Sequence, residues 1–186
     1  MKKLILLLLL TLPTLVFGQL TTLNPDTVCY QTGGSLYQVP ATAGLSYNWT
    51  VAVPGVLVNG QGSNVIQVDW SGANPGLIAN AIQVQATNAA GCLSPVVTLN
   101  VFIYQVVINI TPIADLCELG NCVNLVSNVP GGVWSGTGVN GNQFCPANSG
   151  IGNFGVTYTY TNCCTFNSTT TVNVVAQPQL LPIQHN

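Results

Sequence analysis

From residue 35 to residue 175, apolar and polar positions alternate in short runs separated by turn residues. A period of two places successive side chains on opposite faces of a strand, so each run predicts a half-buried β-strand. The first half predicts strands at 35–39, 46–53, 65–70, 81–87 and 96–104. Its breaks carry Gly33-Gly34, Pro54-Gly55, Gly60-Gln61-Gly62, Asn74-Pro75-Gly76 and Ala90-Gly91. The second half predicts strands at 122–127, 132–135, 154–161 and 168–175, broken at Pro130-Gly131 and across 136–141 and 146–152. No helical period of 3.6 emerges after the N-terminus. Short strands at this spacing predict antiparallel sandwiches.

The two halves echo each other. Cys29, Trp49, Cys92 and Thr98-Leu99-Asn100-Val101 run in the same order as Cys117, Trp134, Cys164 and Thr171-Val172-Asn173-Val174. Two copies of one architecture, the second shorter, explain the order. The join at 101–111 lacks a Gly, Pro or Ser run, unlike a flexible linker. We expect the last strand of the first copy to lead almost directly into the second.

Charge narrows the functions open to such a chain. Lys2 and Lys3 are its two cations, and they precede the apolar run 4–10. That is the n-region and h-region of a secretory signal peptide, with cleavage expected after Gly18. The run is shorter than the ~20 residues of a membrane-spanning helix, so no transmembrane segment is expected. Residues 19–186 then hold Asp26, Asp69, Asp115 and Glu118 and no Lys or Arg. Nucleic-acid binding, which draws on cations displacing counterions from phosphates, is excluded. Arg capture of carboxylate or phosphate is excluded too. His185, next to last in the chain, is poorly placed for a catalytic base.

Several segments now resemble a known family. Tyr47-Asn48-Trp49-Thr50-Val51, the run from Gly60 to Trp70, and Thr87-Asn88-Ala89-Ala90-Gly91-Cys92 resemble the PKD-like (Ig-like β-sandwich) modules of Bacteroidota secreted and cell-surface proteins. Gly131 to Val139 and Tyr158-Thr159-Tyr160-Thr161 resemble a companion Ig-like repeat. The resemblance implies an all-β chain of two tandem immunoglobulin-like antiparallel sandwiches after a cleaved signal peptide. The expected boundaries are 1–18 for the signal peptide, 19–104 for the PKD-like domain, 105–176 for the Ig-like domain and 177–186 for a C-terminal tail. Such modules are stalks and adhesive repeats, often associated with gliding and type IX secretion. Proteins of this kind commonly end in a sorting domain, whereas here a short tail with Pro178 and Pro182 follows, so retention by a partner, another pathway or a periplasmic site is expected. The resemblance therefore implies an exported, non-enzymatic structural or adhesive module at the cell surface or outside it. Its partners would be proteins of an outer-membrane or surface assembly, or further copies of itself.

Seven cysteines in an exported chain read as disulfide material. The family's modules open with a Cys and close with Gly-Cys, which implies Cys29 with Cys92 and, in the second copy, Cys117 with Cys164. Cys122 with Cys145 is then a plausible third pair, leaving Cys163 as a candidate free thiol. A Cys-only zinc site lacks CxxC spacing and a nearby His. Gly136-Thr137-Gly138-Val139-Asn140-Gly141 matches GxGxxG but lacks the following helix that a dinucleotide site needs, so it reads as a turn. No cofactor or metal is expected. Trp70 at a strand end, and Trp134 between glycines, are candidate contacts for uncharged sugars, with core packing as the alternative. Asp26-Thr27-Val28 resembles a Bacteroidota O-glycosylation motif and makes Thr27 a candidate acceptor. A carbohydrate-binding module is the second reading of function, and a hydrolase a distant third.

Overall fold

The computed structural model describes residues 25–182 and 185. The expected signal peptide, 1–18, lies outside the described residues. The chain divides into two compact units between Ile103 and Tyr104.

The first unit holds β1 (Asp26–Cys29), β2 (Ser35–Gln38), β3 (Leu45–Val51), β4 (Val56–Asn59), β5 (Val65–Asp69), β6 (Gly76–Asn88) and β7 (Val97–Tyr104). They form two sheets, β1-β7-β6-β3 and β2-β5-β4. Alternation decides which side chains meet between them. Tyr47 and Trp49 of β3, Ile82 and Val84 of β6, and Val101 and Ile103 of β7 are buried with Tyr37, Ile66, Val68 and Trp70 from the other sheet. The Trp70 indole N–H donates to the Tyr37 hydroxyl at 3.0 Å, and the two rings stand nearly perpendicular, 6.5 Å apart. Gly55 makes room for this ring, since a Cβ there would meet it at 2.4 Å.

The second unit holds β8 (Leu116–Cys117), β9 (Val123–Asn124), β10 (Val133–Ser135), β11 (Val139–Asn140), β12 (Gln143–Phe144), the single helical turn α1 (Pro146–Ser149), β13 (Gly152–Thr161) and β14 (Thr165–Val175). Its sheets are β10-β13-β14-β8 and β11-β12-β9. Strand for strand, this repeats the first unit. Counted within each unit, both larger sheets run first, seventh, sixth, third, and both smaller sheets run second, fifth, fourth. Trp49 and Trp134 lie on the third strand of each unit, and the closing Thr-x-Asn-Val segments on the seventh. The core of the second unit gathers Leu125, Trp134, Phe144, Val156, Tyr158, Val172 and Val174.

The sequence pattern located the long strands and the short β2 and β10, and missed β1, β4, β8, β11 and β12. Among the missed strands, β1 has one buried residue and β4 none, so neither shows the alternation of a core strand. The expected strand at 122–127 shrinks to β9. In contrast, β6 starts five residues early because the chain passes through a bulge between Ile78 and Ile82 without leaving the sheet. Asn80 takes a positive φ there, and its amide is held by the Asn100 side chain at 2.8 Å. The join is not strand to strand, because the next named element after Tyr104 begins at Leu116.

Two predictions follow from this core. Trp70→Ala should cost about 3–5 kcal/mol by urea denaturation, the usual loss for a buried large aromatic; a loss under about 1 kcal/mol would contradict the packing. Burial first, then the nearby Asp26 carboxylate, push the Tyr37 phenol well above its ordinary range. A raised native pKa means that its contribution is complete below the unfolded value of about 10 and is lost as pH rises past it. Stability should therefore fall above about pH 10, and a Tyr37→Phe chain should show a shallower fall over the same range.

Candidate functional site

A sheet ends in strands whose outer backbone groups lack partners, and exposed edges are commonly protected with Lys. No Lys or Arg occurs among the described residues. At β3 the edge is closed by neutral groups. Tyr47 exchanges backbone hydrogen bonds with Gly62, at 3.3 and 3.0 Å. Two residues on, the Trp49 amide donates to Gln61 Oε1 at 2.8 Å, and Gln61 Nε2 donates to the Trp49 carbonyl at 2.9 Å. The primary amide of Gln61 thus replaces the peptide group of a missing strand. Gly60 and Gly62, both at φ 91°, let the chain turn tightly on either side of it. The sequence marked this tripeptide only as a break; a Gln held between two glycines was the legible sign. In the second unit the Asn128 side chain instead bridges two residues, its Oδ1 accepting from the Asn109 amide at 2.7 Å and its Nδ2 donating to the Val107 carbonyl at 3.1 Å.

β14 is left largely open on one side. It pairs with β13 along ten residues but with β8 at Val174 and Val175 only. Its exposed side chains are Thr165, Asn167, Thr169, Thr171 and Val175, none of them charged. In the first unit, the outer face of β2-β5-β4 exposes Leu36, Val56 and Val58.

The candidate sugar contacts do not lie on a surface. Trp70 is fully buried and Trp134 is 8 % exposed, with the Trp134 ring stacked at a tilt on Tyr158, 4.6 Å between centroids. The glycines beside them had suggested exposure, yet they serve the opposite end. A Cβ at Gly132 would strike the Tyr158 ring at 2.5 Å, so the small residue lets the aromatic pair close. Thr27 is exposed on β1, an edge strand.

Of the three expected cysteine pairs, Cys122–Cys145 is present and the other two are not. Cys122 and Cys145 are joined, with Cα atoms 4.1 Å apart, closing a loop of 23 residues. A loop of that length is worth about 3 kcal/mol in the chain-entropy account. Cys29 and Cys164 are each disulfide-bonded. However, Cys92 and Cys117 are exposed free thiols, so the pairs Cys29–Cys92 and Cys117–Cys164 are absent. Strand geometry explains both. Cys117 sits beside Val175 at one end of β14, whereas Cys164 precedes Thr165 at the other. At about 3.3 Å per residue the ends are ~30 Å apart, far beyond the reach of a disulfide. In the first unit, the turn after Cys29 leads to Gly33, which packs against Asp69 at the end of β5 paired with Val56. Cys92 is tied to Asn88, which pairs with Leu45 at the far end of β3. The length of β3 alone separates those ends by ~20 Å. The Cys163 sulfur lies 3.8 Å from that of Cys164.

The remaining polar groups do not assemble. Asp69 accepts the Ser71 amide at 2.7 Å, which holds its carboxyl below the usual range. Among the described residues, no three of His, Cys, Asp and Glu converge. Gly136 to Gly141 connect β10 to β11 and lead into β12, and a Cβ at Gly136 would meet the Gly155 carbonyl at 2.4 Å. A cleft of about 170 Å³ opens between the sheets of the first unit, lined by Tyr37, Trp49, Ile82, Val84 and Leu99 among others. Ligand sites usually exceed about 300 Å³, so this is a gap in the core packing. Among the described residues the exposed sheet edges and faces carry mostly uncharged side chains, with Asp26 on β1 and Asp69 on β5 the carboxylates of the strands.

Thiol labelling tests the cysteine assignment. A maleimide added to the native protein should modify Cys92 and Cys117, and should reach Cys122 and Cys145 only after reduction. An unreactive Cys92 in the folded chain would restore the Cys29–Cys92 pair.

Residues 17–101 match the family model described as PKD-like domain. No curated protein sequence matches the chain. Similar solved structures include Drosophila N-cadherin EC1-4, 13% identical, with 83% of this chain and 48% of that one covered at a TM-score of 0.37. The fibronectin(III)-like modules of Clostridium thermocellum CbhA are 12% identical, with 87% and 94% covered at a TM-score of 0.34. Extracellular domains 3-5 of Drosophila OTK are 16% identical, with 85% and 67% covered at a TM-score of 0.27. The chain spans about half the length of the N-cadherin chain it matches. Residues 17–101 match the PKD-like domain model and the second unit repeats the strand order of the first, so the chain is an all-β pair of tandem Ig-like antiparallel β-sandwiches, the first of them matched as a PKD-like domain.

Proposed function

We propose that this protein is a non-enzymatic structural or adhesive module of the cell surface or extracellular space, working through protein–protein contacts. The observation that carries this reading is the neutral, largely polar sheet surface: Thr, Asn and Gln along the strands, with an unpaired strand edge in the second unit. The two disulfide-bonded cysteines of known pairing, Cys122 and Cys145, fit an oxidising compartment. By resemblance, the setting is a Bacteroidota surface assembly associated with gliding or type IX secretion. Thr27, exposed on β1, is the candidate acceptor of an O-glycan there.

Surface cross-linking on intact cells, followed by purification of the tagged full chain, tests the proposal. The expected result is recovery at a fixed ratio with envelope or surface proteins, together with loss of the chain when intact cells are treated with a non-tryptic protease. Residence in the cytoplasm, or turnover of a substrate by the purified protein, would overturn it.

A further inference from the structure

We infer that the outer edge of β14, residues 165–171, pairs antiparallel with the same edge of a second copy of this chain. The inference rests on the reading above, of a module that works through protein contacts, and names the surface and the partner.

Backbone geometry identifies the open groups. The Val175 carbonyl accepts the Glu118 amide at 2.9 Å, so Val175 turns its backbone toward β8. Along a strand the peptide groups alternate in direction. With β13 and β14 paired in unbroken register, the odd-numbered residues of β14 all face the β8 side and the even-numbered ones face β13. β8 takes up only the end of that side, at Val174 and Val175. The amides and carbonyls of Thr165, Asn167, Thr169 and Thr171 therefore point outward, and no strand pairs with them among the described residues. The other long edge, β3, is closed by Gly62 and Gln61. Among the described residues, no side-chain amide folds over β14 in this way.

Both sequence and charge favour an identical copy. A two-fold axis at Ser168 sets Thr165 opposite the second copy's Thr171 and Asn167 opposite its Thr169, so every outward group finds a partner. Cross-strand pairs of this neutral polar kind are favourable, and no charge or proline interrupts them. The nearest carboxylates, Asp115 and Glu118, flank β8 at one end of the strand. Antiparallel pairing carries the two β8 ends to opposite ends of the contact, about 40 Å apart at roughly 3.3 Å per residue. That is several times the ~8 Å screening length at physiological salt, so the acidic ends do not oppose the contact. A seven-residue strand pair is small, and the association is concentration-dependent.

The test uses the full exported chain and three substitutions on this edge. Ser168→Cys places a thiol opposite its own copy, in a non-hydrogen-bonded pair whose Cα separation of about 4.5 Å suits a disulfide. Asn167→Pro removes one outward amide and none that faces β13. Thr169→Lys adds a charge to the exposed face and keeps the backbone. Sedimentation over a wide concentration range should show a monomer–dimer equilibrium. Mild oxidation of the Ser168→Cys chain should give a covalent dimer joined at position 168 by peptide mass spectrometry. Either of the other substitutions should weaken dimerisation at least tenfold with circular dichroism unchanged, and Thr169→Lys decides the matter if Asn167→Pro does not fold. A monomer at every concentration overturns the inference, as does a dimer that Thr169→Lys leaves intact and that position 168 does not cross-link. If such a chain is still recovered with surface proteins, only the strand pairing fails; if it dimerises but resides in the cytoplasm, only the adhesive reading fails.

Discussion

Beyond Lys3 this chain has no cation, and its structure is organised around that deficit. Stability loses little by it, because an exposed ion pair contributes only about 0–1 kcal/mol. The consequence falls on recognition of one segment by another, which must rely on hydrogen bonds between neutral groups and on buried apolar surface. Side-chain amides take over where a strand or a Lys would otherwise serve. Gln61 completes the edge of β3, Asn128 brackets residues 107 and 109, and Asn88 holds the turn before Cys92. A primary amide carries one donor group and one acceptor in nearly the geometry of a peptide, so it satisfies both backbone groups of a residue at once.

The sandwich architecture and its internal repeat were legible because both rest on spacing. Alternating runs mark strands buried on one face; the first Cys, the Trp and the Thr-x-Asn-Val landmarks fall on equivalent strands of the two units, and Cys92 and Cys164 in equivalent connections. The short edge strands β1, β4 and β8 were illegible, since they bury almost nothing and leave no alternation to read. Cys122–Cys145 was read correctly, whereas Cys29–Cys92 and Cys117–Cys164 failed for a related reason. Order along the chain says that Cys117 and Cys164 bracket a unit, but only the parallel pairing of β8 with the far end of β14 shows how distant they are. For Trp70 and Trp134 the sequence allowed either ligand contact or core packing, and the structure has both packed: at Gly55 and Gly132 the missing Cβ leaves the space that an aromatic ring occupies.

Repetition of one strand order in two units of different length also locates the surface. In the first unit the opening strand has four residues and the closing strand eight. In the second the opening strand has shortened to two, whereas the closing strand has lengthened to eleven. The shorter copy has thereby lost the strand that would cover its own last strand. What it retains is β13–β14, a long hairpin whose cross-strand Thr157 and Thr169 hydroxyls lie 2.8 Å apart. Its rigidity comes from that pairing on one side, and the other side is left to interact.

Neutral contacts behave differently from charged ones when the medium changes. Coulombic attraction between surfaces weakens as salt shortens the screening length, whereas a ladder of peptide bonds and threonine side chains has no net charge to screen. Salts excluded from protein surfaces would strengthen such contacts instead, by favouring burial. A strand-edge contact of this neutral kind would therefore persist across a wide range of salt. The absence of Lys is then consistent with an edge left open for use: a cation placed along 165–171 would protect the sheet and abolish the surface together.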